Sequence, residues 1–124
     1  MATLELTKEN FEITIDTNNI VIIDFWAEWC GPCKRFGPVF EEASTRHPDV
    51  CFAKVNTEEQ QELAAYFGIR SIPTIIIFRE KIGMLSQAGA LSPDGIDELL
   101  SEIKMYDMDQ VREEMANQKS DDSE

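Results

Sequence analysis

Basic residues are scarce in this chain. Eleven Lys and Arg stand against 24 Asp and Glu, a formal charge of −13 over 124 residues. A phosphate backbone or an anionic lipid surface calls for a basic face, so neither nucleic acid nor membrane is an expected partner. Long apolar runs are missing too: stretches such as Ile20–Ile23 fall far short of the roughly 20 residues that span a bilayer. The first 19 residues carry Glu5, Lys8, Glu9, Glu12 and Asp16 with no apolar stretch, which is not the pattern of a secretory leader. The expected location is therefore the cytoplasm. Cysteine is sparse, at three. Three cysteines in a cytosolic chain do not make a disulfide framework; they point to redox or metal chemistry.

What is present suits one domain with an ordinary core, at 43% hydrophobic residues, large enough to need no covalent staples. Thr3–Leu6 reads as a short edge strand, and Thr7 as the cap of a helix with Phe11 and Ile15 on one face. The run Ile20–Ala27 is β-branched and aromatic, the pattern of a central strand covered on both faces. A helix follows through Phe36, Val39, Phe40 and Ala43, with Pro38 inside it and Pro48-Asp49 at its end. Val50–Val55 is a second strand, Glu58–Phe67 a helix closed by Gly68, Ile75–Phe78 a third, buried strand and Met84–Ala88 a further strand ended by Gly89. Ser92 and Pro93 open a last helix whose core face is Ile96, Leu99, Leu100 and Ile103. The order βαβαβαββα predicts an α/β fold. Its mixed central sheet has about five strands, parallel in the first half with an antiparallel pair at the end, and about four flanking helices.

The chemistry centres on Cys30-Gly31-Pro32-Cys33, placed after a buried strand and at the start of a helix. The first helical turn leaves N–H groups unpaired and carries the positive end of the helix dipole, and both favour a thiolate. A spacing of three residues puts the two sulfurs on one face of that turn. Pro32 is tolerated there and stiffens the loop. Cys30, nearest the helix end, is expected to be the exposed attacker and Cys33 the more buried resolver. A rival reading uses Cys30, Cys33, His47 and Cys51 as Cys-x2-Cys-x13-His-x3-Cys, a spacing compatible with structural zinc. Against it, Cys51 falls on a predicted strand and His47 at the far end of a helix, so no metal is expected. Cys51 alternates with Ala53 and Val55 and is predicted to be a buried, inert core thiol.

With Trp29 in front, the motif becomes Trp-Cys-Gly-Pro-Cys, and the stretch from Asp24 to Lys34 resembles the thioredoxin family. The likeness continues in register through Pro38, through Gly68-Ile69-Arg70-Ser71-Ile72-Pro73-Thr74 and through Gly89-Ala90-Leu91-Ser92, covering about residues 3–104. It implies a thioredoxin fold and a protein-disulfide reductase exchanging electrons between the Cys30/Cys33 dithiol and disulfides of target proteins. Asp24 would be a buried acid shuttling a proton to or from Cys33, with Lys54 close to it. Trp29, Gly31 and Pro32 would form the active-site loop and Pro73 would be cis. Trp29, Ile72, Pro73, Gly89 and Ala90 would make the docking surface on which substrate adds as a short strand, with Trp26 as support beneath the loop. No cofactor would be bound. A flavin-containing, NADPH-dependent thioredoxin reductase would recycle a monomer. The other reading kept open is a binding or accessory subunit that uses the docking face and an acidic tail.

Arg35 and Gly37 stand where the family has other residues, and Glu80-Lys81 lack a hairpin glycine, so Gly83 is expected to displace that turn. Residues 1–104 form the expected domain and residues 105–124 an acidic extension. The extension holds 2 basic and 7 acidic residues. Asp107 with Gln110 reads as a capping box, and Met108, Val111 and Met115 as an apolar stripe out of phase with the preceding helix. The prediction is a break near Met105–Asp107, a short helix, and disorder beyond Ala116. Most weight falls on a loose tail, with docking of the methionine stripe as the alternative.

Overall fold

The computed structural model describes residues 3–122, with side chains through Gln118. Its strands are β1 (Thr3–Glu5), β2 (Ile20–Trp26), β3 (Cys51–Asn56), β4 (Thr74–Arg79) and β5 (Ile82–Ala88). Its helices are α1 (Phe11–Thr17), α2 (Gly31–Arg46), α3 (Gln61–Tyr66), α4 (Pro93–Met105) and α5 (Met108–Asp122). One sheet runs β1-β3-β2-β4-β5. β1, β3 and β2 are parallel, while β4 and β5 each run antiparallel to the strand before them in that order. The sheet, its mixed sense and its four domain helices agree with the sequence reading.

β2 has neighbours on both sides and helices on both faces, which is why its run has almost no polar residue. Alternation sends its side chains to two cores. Ile20 and Ile22 join Phe52, Ile75 and Ile77 under α2 and α4, where Phe36, Phe40, Ile96, Leu100 and Ile103 meet them. Val21, Ile23 and Phe25 join Ala53, Val55 and Ile76 on the other face, with Ile15 of α1 and Leu63 of α3. Phe11, Phe67 and Phe78 close that second core with tilted and edge-on ring contacts at 5.5–6.1 Å. Cys51 shares this face, as its alternation predicts, but it is half-buried rather than buried. It is the first residue of β3, at the sheet's end. What burial it has still pushes its thiol pKa up.

Two helices begin later than their sequence pattern predicts, because side chains capture the backbone first. Thr7 N–H donates to Asn10 Oδ1 (2.7 Å) and Asn10 N–H to Thr7 Oγ1 (3.3 Å), closing a turn before α1. Asn56 Oδ1 accepts from the N–H groups of Glu58 and Glu59, delaying α3 to Gln61. The far end of α3 is as expected. Gly68, at φ +63°, lets Gly68 N–H reach Ala65 O and Ile69 N–H reach Ala64 O, which satisfies the last carbonyls. The last hairpin corrects one expectation. Its turn stays at Glu80 and Lys81, both at positive φ (51° and 70°). Gly83 instead pairs with Phe78 beside a β-bulge.

The extension differs most from its prediction. The break is where it was expected: Tyr106 is extended, and Asp107 Oδ1 accepts from the N–H groups of Asp109 and Gln110. The helix then continues through Asp122, beyond the predicted stop near Ala116. Neither glycine nor proline interrupts it after Met108. Its start is docked. Met108 is 5% exposed. Arg79 Nη1 donates to the carbonyls of Ile103 (2.8 Å) and Tyr106 (2.9 Å), and Arg112 pairs with Glu80 of the hairpin turn. Val111 is half-buried, whereas Met115 is 47% exposed and every residue from Arg112 to Gln118 is exposed. The methionine stripe thus meets the domain for one turn only. Ser123 and Glu124 of the predicted disordered end lie outside the described residues.

Candidate active site

β2 delivers the chain to a tight loop whose backbone closes on itself: Cys30 N–H donates to Ala27 O at 3.2 Å. Cys30 is the N-cap of α2, with extended backbone. Its Sγ accepts the Cys33 N–H at 3.2 Å, so one of the helix's unpaired donors is aimed at this sulfur. Cys30 and Cys33 are joined as a disulfide, their Cα atoms 5.3 Å apart. Pro32 occupies the first helical turn, where its missing N–H removes no helical bond.

A second segment faces the pair. The Ile72–Pro73 peptide bond is cis, and Ile72 O lies 3.7 Å from Cys30 Sγ. Pro73 O accepts the Gly89 N–H at 2.8 Å, which ties the Gly89-Ala90 turn to the same edge; Gly89 adopts φ +98°, open to glycine. Ile72 packs with Ala27, Cys30, Cys33 and Trp26. Around them Trp29 is 70% exposed, Gly31, Pro32, Gly89 and Ala90 are exposed, and Pro73 is buried. One expectation changes. In the disulfide Cys30 is not the exposed member, since the two cysteines are 4% and 3% exposed. The Ile72 segment and the loop cover both. They differ in environment: Cys30 has the helix N–H and the Ile72 carbonyl beside it.

Asp24 interrupts the apolar run of β2 on the face covered by α2. It is fully buried, and neither carboxylate oxygen has a hydrogen-bond partner. Desolvation raises its pKa to about 7, and Lys54 pulls in the other direction. Lys54 is its register partner on β3. The lysine Nζ also stands 5.3 Å from the Trp26 ring centroid, a cation–π distance. Trp26, expected only to support the loop, therefore also holds Lys54. The signal was its place two residues after Asp24, on the same face. The zinc alternative does not assemble. The two motif cysteines are bonded to each other, and His47 hydrogen-bonds Asp97 (2.6 Å) and stacks on Phe52. Cys51 packs on the opposite face of the sheet.

Residues 2–105, which carry this cysteine pair, the cis-proline segment and the buried carboxyl, match the thioredoxin family model. The chain belongs to the thioredoxin family. It is 51% identical over 119 residues to a Streptomyces coelicolor protein assigned as thioredoxin 2, covering 96% of this chain and 89% of that one. It is 48% identical over 79 residues to the thioredoxin of Alicyclobacillus acidocaldarius, covering 63% and 75%. Among solved structures, a mutant thioredoxin from Halobacterium salinarum superposes with a TM-score of 0.76 at 29% identity, covering 81% of this chain and 88% of that one. Plasmodium falciparum thioredoxin gives 0.75 at 33%, covering 81% and 98%. The thioredoxin fold and the thioredoxin-type protein-disulfide oxidoreductase activity follow, with disulfide-containing proteins as substrates and a reductase as partner. Among the described residues no helix is long and apolar enough to cross a membrane.

Proposed function

We propose that the reduced chain cleaves target disulfides by a two-step exchange in which Cys30 attacks and Cys33 resolves. The Cys30 thiolate attacks one sulfur of the target disulfide, forming a mixed disulfide and releasing the other target sulfur as a thiolate. Cys33 then loses its proton to the Asp24 carboxylate and attacks Cys30 Sγ. The second target thiolate departs, and the chain is left with the Cys30–Cys33 disulfide seen here. Two electrons pass to the target and two protons are taken up by its thiols. Asp24 suits the proton step because a pKa of about 7 lets it accept and return a proton near neutrality; Lys54 steadies the charged form. The strip made by exposed Trp29, Gly89 and Ala90 and half-buried Ile72 beside Pro73 receives the target as an added strand.

The observation that carries this reading is the Cys33 N–H directed at Cys30 Sγ, 3.2 Å away, because a donor there stabilises negative charge on Cys30 in particular. Recycling falls to a flavin-containing, NADPH-dependent thioredoxin reductase, and the chain works as a monomer in the cytoplasm. The test is insulin reduction with the full chain. Wild type turns over, Cys30→Ser does not, and Cys33→Ser stalls as a mixed disulfide after one attack. Turnover by Cys30→Ser would refute the assignment.

A further inference from the structure

Charge on the redox loops runs against charge on the rest of the chain. The chain carries −13. Most cations away from the disulfide are tied to carboxylates, such as Lys104 to Asp49 and Arg46 to Asp97. Among the described side chains five cations make no ion pair: Lys34, Arg35, Lys54, Arg70 and Lys81. Lys54 is engaged with Trp26. Three of the other four flank the redox pair. Lys34 and Arg35 follow Cys33 directly, and Arg70 stands two residues before Ile72; all three are exposed. The one carboxylate on these two segments is Glu28. Arg35 is also placed. Its Nη1 lies 3.5 Å from the point a side-chain carbon on Gly31 would occupy, so the guanidinium reaches back one turn over the loop between the two cysteines.

We infer that Arg35, with Lys34 and Arg70 around it, selects target disulfides whose cysteine is flanked by Asp or Glu. The inference rests on the disulfide-reductase reading above and adds a substrate class to it. A guanidinium offers a planar fork of donors that matches a carboxylate. At a distance the chain's net charge repels an acidic segment. With a screening length of about 8 Å at physiological salt, the local cations prevail only at contact. Selection is therefore confined to residues adjoining the target cysteine. Arg35 reads substrate and takes no part in the exchange of electrons.

Three disulfide peptides, identical except for Glu, Gln or Lys beside one cysteine, test this with the full chain. For wild type, kcat/KM for the Glu peptide exceeds that for the Gln peptide by about two- to fivefold, the range of an exposed ion pair, and the difference lies in KM. High salt removes it. Arg35→Gln brings the ratio toward one, Arg35→Lys keeps part of it, and Arg35→Glu inverts it in favour of the Lys peptide. Melting curves confirm that these surface variants fold. A ratio unmoved by Arg35→Glu overturns the inference. So does an equal slowing of all three peptides, which would mean that Arg35 tunes the Cys30 thiol instead. If wild type reduces none of the three and no insulin either, the reductase reading itself fails and this inference falls with it.

Discussion

The two faces of β2 make different use of the same alternation. Toward α1 and α3 the strand sends Val21, Ile23 and Phe25 into a core closed by aromatic rings. Toward α2 and α4 it sends Ile20 and Ile22, then Asp24 and Trp26 at the end nearest the disulfide. The first face maximises burial. The second gives up apolar packing at Asp24 and full burial at Trp26 to place a buried carboxyl and a ring that holds a lysine. A fully buried acid with no hydrogen-bond partner costs stability, and it stands at the end of the strand nearest the disulfide.

Substitutions on the two faces should therefore separate stability from activity. The largest stability effect belongs to the packing face. Phe25→Ala removes a fully buried ring and should cost about 3–5 kcal/mol, measured by denaturant unfolding, while the folded variant keeps the wild-type pH profile of reduction. Asp24→Asn should act with the opposite sign. The folded Asp24 titrates at about 7 against 3.8 for the free group, so the native state holds a proton that the unfolded state has lost between those values. Stability should fall as pH rises from about 4 to about 7 and carry the full penalty above that, on the order of 4 kcal/mol at 1.36 kcal/mol per unit. Part of this is given back because a buried amide also lacks partners. Asp24→Asn should thus gain about 2 kcal/mol at pH 8 and little at pH 4, and its reduction rate should drop. An unchanged rate between pH 6 and 9 would remove the proton-transfer role.

A smaller effect separates the docked and projecting parts of the extension. Deleting residues 107–124 removes Met108 and the Arg112–Glu80 pair and should cost about 1–2 kcal/mol by lost burial. Deleting residues 113–124 should cost nothing measurable, since that part is exposed through Gln118. Smallest of all, Cys51→Ala on the packing face should cost under about 1 kcal/mol and leave insulin reduction intact.

The strands and the cysteine pair were legible because their signals are local: an apolar run, a cap, a spacing of three. Asp24 was legible as a polar break in an apolar strand, and Pro73 through its family context. What the sequence hid depended on partners remote along the chain. Cys30 is covered by Ile72, 42 residues away. Trp26 meets Lys54 across the sheet. The junction of α4 and α5 is held by Arg79, and Arg112 of α5 by Glu80. The late starts of α1 and α3 were local, but they came from Thr7, Asn10 and Asn56 side chains competing with the helix, a contest that apolar spacing does not register.

In the proposed exchange two cysteines three residues apart, almost equally buried, differ in role because a helix N–H points at the Cys30 sulfur. Alkylation of the reduced chain, read by mass spectrometry at each cysteine over a range of pH, tests it most directly. Cys30 should be modified first at neutral pH, because the Cys33 N–H favours its thiolate. Cys33 should react slowly, with a pH dependence that changes in Asp24→Asn. Faster labelling of Cys33, or equal labelling of the two with no response to Asp24→Asn, would contradict it.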